Sequence, residues 1–363
     1  MNLAKTLTPL LAATMVVSVL AAPVAAQPGT YDQFFTFGDS LAYSGNVWLT
    51  SKLLGVAPAP PPSESPHRAY FDGRFSNGPI AFEYLWNRLR AGTSAGPLRP
   101  YIMSPFVPSK GAVNYAFGGT GTPLIDQTPG GLHAPGLLGQ VELFRFGLLG
   151  RRPSKKALYA IVTGANDYRV DQYNPAPTDP QVVIANIVTA IRRLHAIGAR
   201  DILVLSLPNL GCLPYGTTPC DDNPLPPAPG VPPTPSQLTA YHNGLLAAAI
   251  GSLGLPGAHV RYVDLNPTFA ELRNAVPTPP GAMVPGIDLL FPAPLFIDEH
   301  GVPVPTSACL FVGPALCPDV PPSTLGPDAQ AIGGLPLVFW DVVHPTTYAH
   351  RKLADLLFAH LPR

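Results

Sequence analysis

Ser40, Asp341 and His344 are the residues of this chain best suited to nucleophilic and acid–base chemistry. A serine hydroxyl is a weak nucleophile at neutral pH, so it needs a base within hydrogen-bond reach and a third group that orients the base. Asp341 and His344 stand three positions apart in Asp341-Val-Val-His344-Pro345. At that spacing they share one turn, and the carboxylate holds the imidazole tautomer that leaves Nε2 free for the serine proton. Taken alone, Ser40 would serve equally as an N-cap, and the Asp–His pair as a capping pair or two metal ligands. Other blocks tilt the balance toward acyl transfer. Gly38-Asp39-Ser40-Leu41 follows the apolar run Phe34-Phe35-Thr36-Phe37, which puts the serine where a strand stops and the chain turns. Asn114-Tyr-Ala-Phe-Gly-Gly119 and Gly164-Ala-Asn166-Asp167 come next. They offer donors for an oxyanion: the backbone N–H groups of Ser40 and Gly119, and the side-chain amide of Asn166. Glycine at 118 and 119 lets backbone approach a substrate without a Cβ in the way.

The elements that must carry these residues are legible as well. Five apolar runs rich in β-branched or aromatic residues read as buried strands, at Gln33 to Phe37, Ala112 to Phe117, Ala157 to Thr163, Asp201 to Leu207 and His259 to Asp264. Helix patterns fall between them at Pro79 to Arg90, Gly136 to Leu149, Gln181 to Ile197 and Ser236 to Leu253. That alternation predicts an α/β domain, a parallel sheet covered on both faces, with ligands bound at the carboxyl ends of its strands. The chemistry-bearing blocks all fall at those ends. A last helix, Pro345 to His360, carries Tyr348, Leu353, Leu356, Leu357 and Leu361 at helical spacing, with Pro345 expected at its first position. The 48 prolines crowd into stretches near 57–66, 219–235, 277–305 and 318–327, which read as long surface loops.

In this order the blocks resemble those of the GDSL esterase/lipase family, the SGNH hydrolases. Gly73-Arg74-Phe75-Ser76-Asn77-Gly78 and Phe339-Trp340-Asp341-Val-Val-His344-Pro345-Thr346 resemble its plant-and-bacterial lipase branch. The resemblance runs from about Gln33 to His360, the whole of the mature chain. It implies a three-layer, flavodoxin-like fold with a parallel five-stranded sheet in a single domain, residues 27–363. It also implies that Ser40, Asp341 and His344 are the triad and that Ser40, Gly119 and Asn166 form the oxyanion hole. The expected activity is hydrolysis of carboxylic esters, of lipidic or short-to-medium acyl chains, through an acyl-enzyme on Ser40. An acyltransferase or phospholipase on the same triad, a carbohydrate deacetylase and a non-catalytic exported binding protein are the alternatives. One departure is Tyr43, where that branch commonly has an acidic residue three positions after the serine.

Composition narrows the partners. Only 12% of residues are charged and the formal net charge is zero, whereas nucleic acid and anionic membranes demand a basic face. A small-molecule ester or lipid substrate is therefore expected. No phosphate-cradling glycine loop and no metal-ligand cluster stands in the sequence, so no cofactor is implied. Residues 1–26 read as a signal peptide: a positive start through Lys5, an apolar stretch from Leu7 to Leu20 and the small-residue pattern Val24-Ala25-Ala26. The mature protein is then expected outside the cytoplasm, periplasmic or extracellular, with no second run of membrane-spanning length. Four cysteines allow three connectivities; local pairing of Cys212 with Cys220 and of Cys309 with Cys317 is the simplest, and four buried thiols the alternative.

Overall fold

The strand segments pair into one six-stranded parallel sheet, with the inner strands buried on both faces. They are β1 (Gln33–Gly38), β2 (Leu98–Pro100), β3 (Gly111–Asn114), β4 (Ala157–Val162), β5 (Asp201–Leu205) and β6 (His259–Val263), in spatial order β6-β5-β4-β1-β3-β2. The computed structural model describes residues 30–361 except 58, 65–66, 69, 129–130, 214–219, 276–294, 298–302, 306–337 and 342. β1 is buried along its whole length, in register with β3 at Phe35↔Val113 and with β4 at Phe35↔Tyr159. Its side chains alternate between the two faces of the sheet. Phe34 meets Phe82 and Trp86 on one side, at centroid distances of 6.1 and 6.0 Å. Phe35 and Phe37 meet Phe144 on the other, at 4.7 and 5.8 Å.

Two separate apolar clusters result, one on each face. Helices α2 (Ala81–Leu89), α6 (Asn266–Ala275) and α7 (Thr347–Ala359) pack together on the Phe34 side, and α3 (Leu137–Gly147), α4 (Pro180–Ile197) and α5 (Pro235–Gly251) on the other. Helix α1 (Asn46–Leu53) follows the Ser40 turn. This is the expected three-layer α/β fold with one strand more than expected. The addition, Leu98–Pro100, is three residues long and ends in proline, which removes a ladder donor and suits only an edge. Both α1 and α6 escaped the sequence pattern: α1 follows Gly45 at φ 127 without a side-chain cap, and α6 is polar, with Phe269 and Leu272 its buried side chains among the described residues.

Helix entry chemistry accounts for the others. Asp179 caps α4, its side chain accepting from the Gln181 N–H, with Pro180 in the first turn and Gly198 closing the helix at φ 119. Thr234 and Gln237 form a reciprocal capping box on α5. At α7 the expectation is corrected: Thr346 is the N-cap and accepts from the Ala349 N–H, while Pro345 lies ahead of the helix in a bridge with Phe339. The threonine hydroxyl satisfies an orphan donor, which proline at the first helical position leaves unmet.

Cys212 and Cys220 form a disulfide with their Cα atoms 4.4 Å apart. Cys309 and Cys317 lie outside the described residues, as does the signal segment 1–26, and Leu295–Ile297 pairs antiparallel with Pro303–Pro305. Among the described residues no helix is long and apolar enough to cross a membrane.

Candidate active site

The strand order reverses at β1, which has β3 on one side and β4 on the other, and a crevice opens at the carboxyl ends of strands around such a point. Gly38 ends β1 at φ +141, and a Cβ there would sit 1.8 Å from the carbonyl oxygen of Val162. No side chain fits. Gln140 of α3 holds this glycine from both sides: its Oε1 accepts from the Gly38 N–H at 2.7 Å and its Nε2 donates to the Gly38 carbonyl at 2.9 Å. The Asp39 N–H still reaches Val162 O at 3.2 Å, so pairing with β4 persists to the residue before Ser40 and the turn begins there. Asp39 is buried, its Oδ1 accepts from the Leu41 N–H at 3.0 Å, and burial pushes its carboxyl up to about 7. Ser40 itself is half-buried.

Asp341 and His344 occupy a tight loop closed by the Trp340 N–H to His344 carbonyl bond (2.7 Å) and the Thr346 N–H to Val338 carbonyl bond (2.9 Å). His344 Nδ1 and Asp341 Oδ2 are 2.7 Å apart. Oδ1 accepts from the N–H groups of Val343 and His344, each at 2.8 Å. Tyr70 adds a fourth donor, its hydroxyl 2.8 Å from Oδ2. Burial alone would raise the Asp341 carboxyl; the charge of His344 and the hydrogen bonds outweigh it and hold the group below the ordinary carboxylate value. An ionised carboxylate on Nδ1 leaves Nε2 as the acceptor nitrogen. The Phe75 ring that stacks on His344 also packs on Tyr43, three positions after Ser40, and so sets this loop beside the Ser40 turn.

The segment between Tyr70 and Gly78 supports that loop. Phe75 stacks on the His344 ring at 4.8 Å and 27°, Ser76 Oγ donates to Pro345 O at 3.0 Å, and Asn77 Oδ1 accepts from the Thr347 N–H at 2.8 Å. A Cβ on Gly118 would lie 2.3 Å from the Phe75 ring, so that glycine makes room for the stacking phenyl. Gly119 adopts φ 78, the left-handed region, and is half-buried. Asn166, also half-buried, donates from Nδ2 to Thr120 O at 3.1 Å. Arg169 ties the two loops together, donating from one guanidinium nitrogen to Gly119 O at 3.0 Å and Asn166 Oδ1 at 3.2 Å. Asp167 braces the same loop against Thr122, accepting from its N–H and its hydroxyl, and burial pushes its carboxyl up to about 6.

Ser40, Gly119 and Asn166 thus line the ends of β1, β3 and β4, with the Asp341–His344 pair beside the first. Tyr43 stands where that branch commonly has an acidic residue: its hydroxyl oxygen accepts from the Trp48 N–H at 2.6 Å, and its ring packs on Phe75 at 5.1 Å. Sequence reasoning did not find Tyr70, Gln140 or Arg169. Gln140 and Arg169 act on backbone distant in sequence, and Tyr70 on a carboxylate 271 positions away, relations with no local signature.

The chain matches the family described as GDSL-like lipase/acylhydrolase over residues 34–357, and it belongs to that family of ester hydrolases. A phosphatidylcholine-sterol acyltransferase of Aeromonas hydrophila is 26% identical over 90% of this chain and 88% of its own length. A GDSL esterase/lipase of Arabidopsis thaliana is likewise 26% identical, over 89% of this chain and 85% of its own. Among solved structures, a lipolytic protein of the G-D-S-L family from Veillonella parvula DSM 2008 aligns over 90% of this chain and 97% of that one, with 11% identity and a TM-score of 0.42.

Proposed function

We propose that this ester hydrolase works through a covalent acyl-enzyme on Ser40, with His344 as base and Asp341 as its orienting partner. The observation that carries the reading is the buried hydrogen bond between Asp341 and His344 Nδ1, on a loop joined through the Phe75 ring to Tyr43 in the turn after Ser40. Ser40 Oγ attacks the ester carbonyl carbon while Nε2 takes its proton. Negative charge then develops on the carbonyl oxygen, where the N–H groups of Ser40 and Gly119 and the Asn166 amide stabilise it. His344 returns the proton to the departing alkoxide as the C–O bond breaks, leaving an ester on Ser40. Water, activated by the same histidine, releases the carboxylic acid. The substrates are neutral esters with lipidic or short-to-medium acyl groups, in keeping with an almost uncharged chain. The protein is exported after removal of residues 1–26.

Acyl transfer is the second reading, favoured by the end-to-end similarity to a phosphatidylcholine-sterol acyltransferase. In that case an alcohol replaces water in the second half-reaction. Purified protein is incubated with a fluorophosphonate probe and with nitrophenyl esters, beside Ser40→Ala and His344→Asn. Labelling of the Ser40 peptide and loss of hydrolysis by roughly three orders of magnitude or more in the variants are expected. A label on another serine, or an active His344→Asn, refutes the assignment. New esters formed when a long-chain alcohol is added assign the second reading.

A further inference from the structure

We infer that Tyr70 is a positioning residue of this site, its hydroxyl holding the Asp341 carboxylate oxygen that in turn holds His344. The inference rests on the role proposed for His344. A carboxylate has about four acceptor positions, and all four on Asp341 are used. Three donors are local: the N–H groups of Val343 and His344 on Oδ1, and His344 Nδ1 on Oδ2. The fourth comes from Tyr70, at 2.8 Å, and is the one that fixes the carboxylate to a different part of the fold. Tyr70 is fully buried and Asp341 nearly so. Burial and the nearby Asp341 charge both push the phenol well above its ordinary value, so it remains a donor throughout the working range.

The surroundings make this contact more than incidental packing. Tyr70 is itself anchored through its N–H to Pro62 O at 2.9 Å. The same stretch of chain supplies the Phe75 ring on His344 and the Ser76 and Asn77 bonds at the entry to α7. One segment therefore orients the carboxylate, the imidazole plane and the backbone that carries both. The hydroxyl also has an electrostatic effect. It withdraws charge from Oδ2, and without it the carboxylate would stabilise protonated His344 more strongly. Among the described residues, Asp39 at the end of β1 and the buried His350 of α7 also feel the charge of His344, and neither is hydrogen-bonded to Tyr70.

Tyr70→Phe removes this oxygen and little else. In the full chain, hydrolysis of a nitrophenyl ester is measured from pH 5 to 9, with thermal unfolding by circular dichroism as the check on folding. The expected result is a kcat lowered about five- to thirtyfold with KM within about twofold, in line with the loss of one hydrogen bond to a charged group. The acidic limb of kcat/KM moves upward by a few tenths of a pH unit to about one. In proton NMR the far-downfield resonance of His344 Nδ1–H changes position. In an Asp341→Asn background the same change has less than about a twofold further effect, because the mediator is gone. Fluorotyrosine at position 70 keeps the hydroxyl, strengthens it as a donor and moves the acidic limb the opposite way, which covers a Tyr70→Phe that folds poorly. If hydrolysis requires His344 but Tyr70→Phe leaves kcat and the acidic limb unchanged, Tyr70 is only core. An equal loss in the Asp341→Asn background overturns the inference too, whereas hydrolysis that survives His344→Asn overturns the parent reading and this one with it.

Discussion

Replacing Gln140 by alanine tests whether the nucleophile's turn is held by the helix behind it. Gln140 is fully buried, and its amide meets the Gly38 N–H at 2.7 Å, the Gly38 carbonyl at 2.9 Å and the Pro135 carbonyl at 3.0 Å. The Gly38 carbonyl keeps a second donor in the Phe117 N–H at 3.1 Å, so its loss is partial. The Gly38 N–H loses its acceptor, a buried orphan worth about 1–3 kcal/mol. The deleted methylene adds about 0.8 kcal/mol. Together the variant should lose between about 2 and 4 kcal/mol in urea unfolding. It should also turn over esters more slowly, since Gly38 is two residues from Ser40 and a small displacement of the nucleophile costs rate steeply. Gln140→Glu should be worse than its near-identical shape implies, because the carboxylate has no N–H for the carbonyls of Gly38 and Pro135. A Gln140→Ala protein within about 0.5 kcal/mol of the parent, with unchanged kcat, would refute the clasp and place the support of the turn in the β4 ladder alone.

Four other outcomes are expected. Asn166→Ala should lower kcat by about 10² to 10³ with KM little changed, because its amide is worth most when charge forms on the substrate oxygen; a rise in KM alone removes it from the oxyanion site. His350 is buried without a hydrogen-bond partner for either ring nitrogen among the described residues, and burial, reinforced by the His344 charge, pulls it down to about 3. The unfolded chain binds its proton near pH 6.5, so the stability contribution is complete above that value and is lost as pH falls toward 3; His350→Leu should gain about 2 kcal/mol on the parent between pH 8 and pH 5, and parallel urea curves at both pH values would exclude it. Cys212→Ser with Cys220→Ser should cost about 2 kcal/mol for so short a loop, and peptide mapping of the unreduced protein should find Cys309 joined to Cys317.

What the amino-acid sequence determines by itself is local in origin. The runs at β1, β4 and β5 are apolar on both faces, which only a covered parallel sheet tolerates. The caps at Asp179 and Thr234 mark helix starts by satisfying their own neighbouring N–H groups. The order of strand-end blocks places Ser40, Gly119 and Asn166 on one rim once the sheet is parallel, and the three-residue spacing of Asp341 and His344 brings their side chains together within a single loop. Tertiary structure decides the rest. Leu98–Pro100 becomes a strand because β3 offers it an edge, not because three residues ending in proline prefer to be extended. Gly118 is needed for the Phe75 ring, which arrives from a loop more than forty positions earlier. Gln140, Arg169 and Tyr70 are ordinary surface or core residue types in sequence, and they become part of the site only when folding sets each against a polar group of another segment. Periodicity and spacing register contacts a few residues apart, whereas a buried hydrogen bond across 271 positions exists only after the core has closed around both partners.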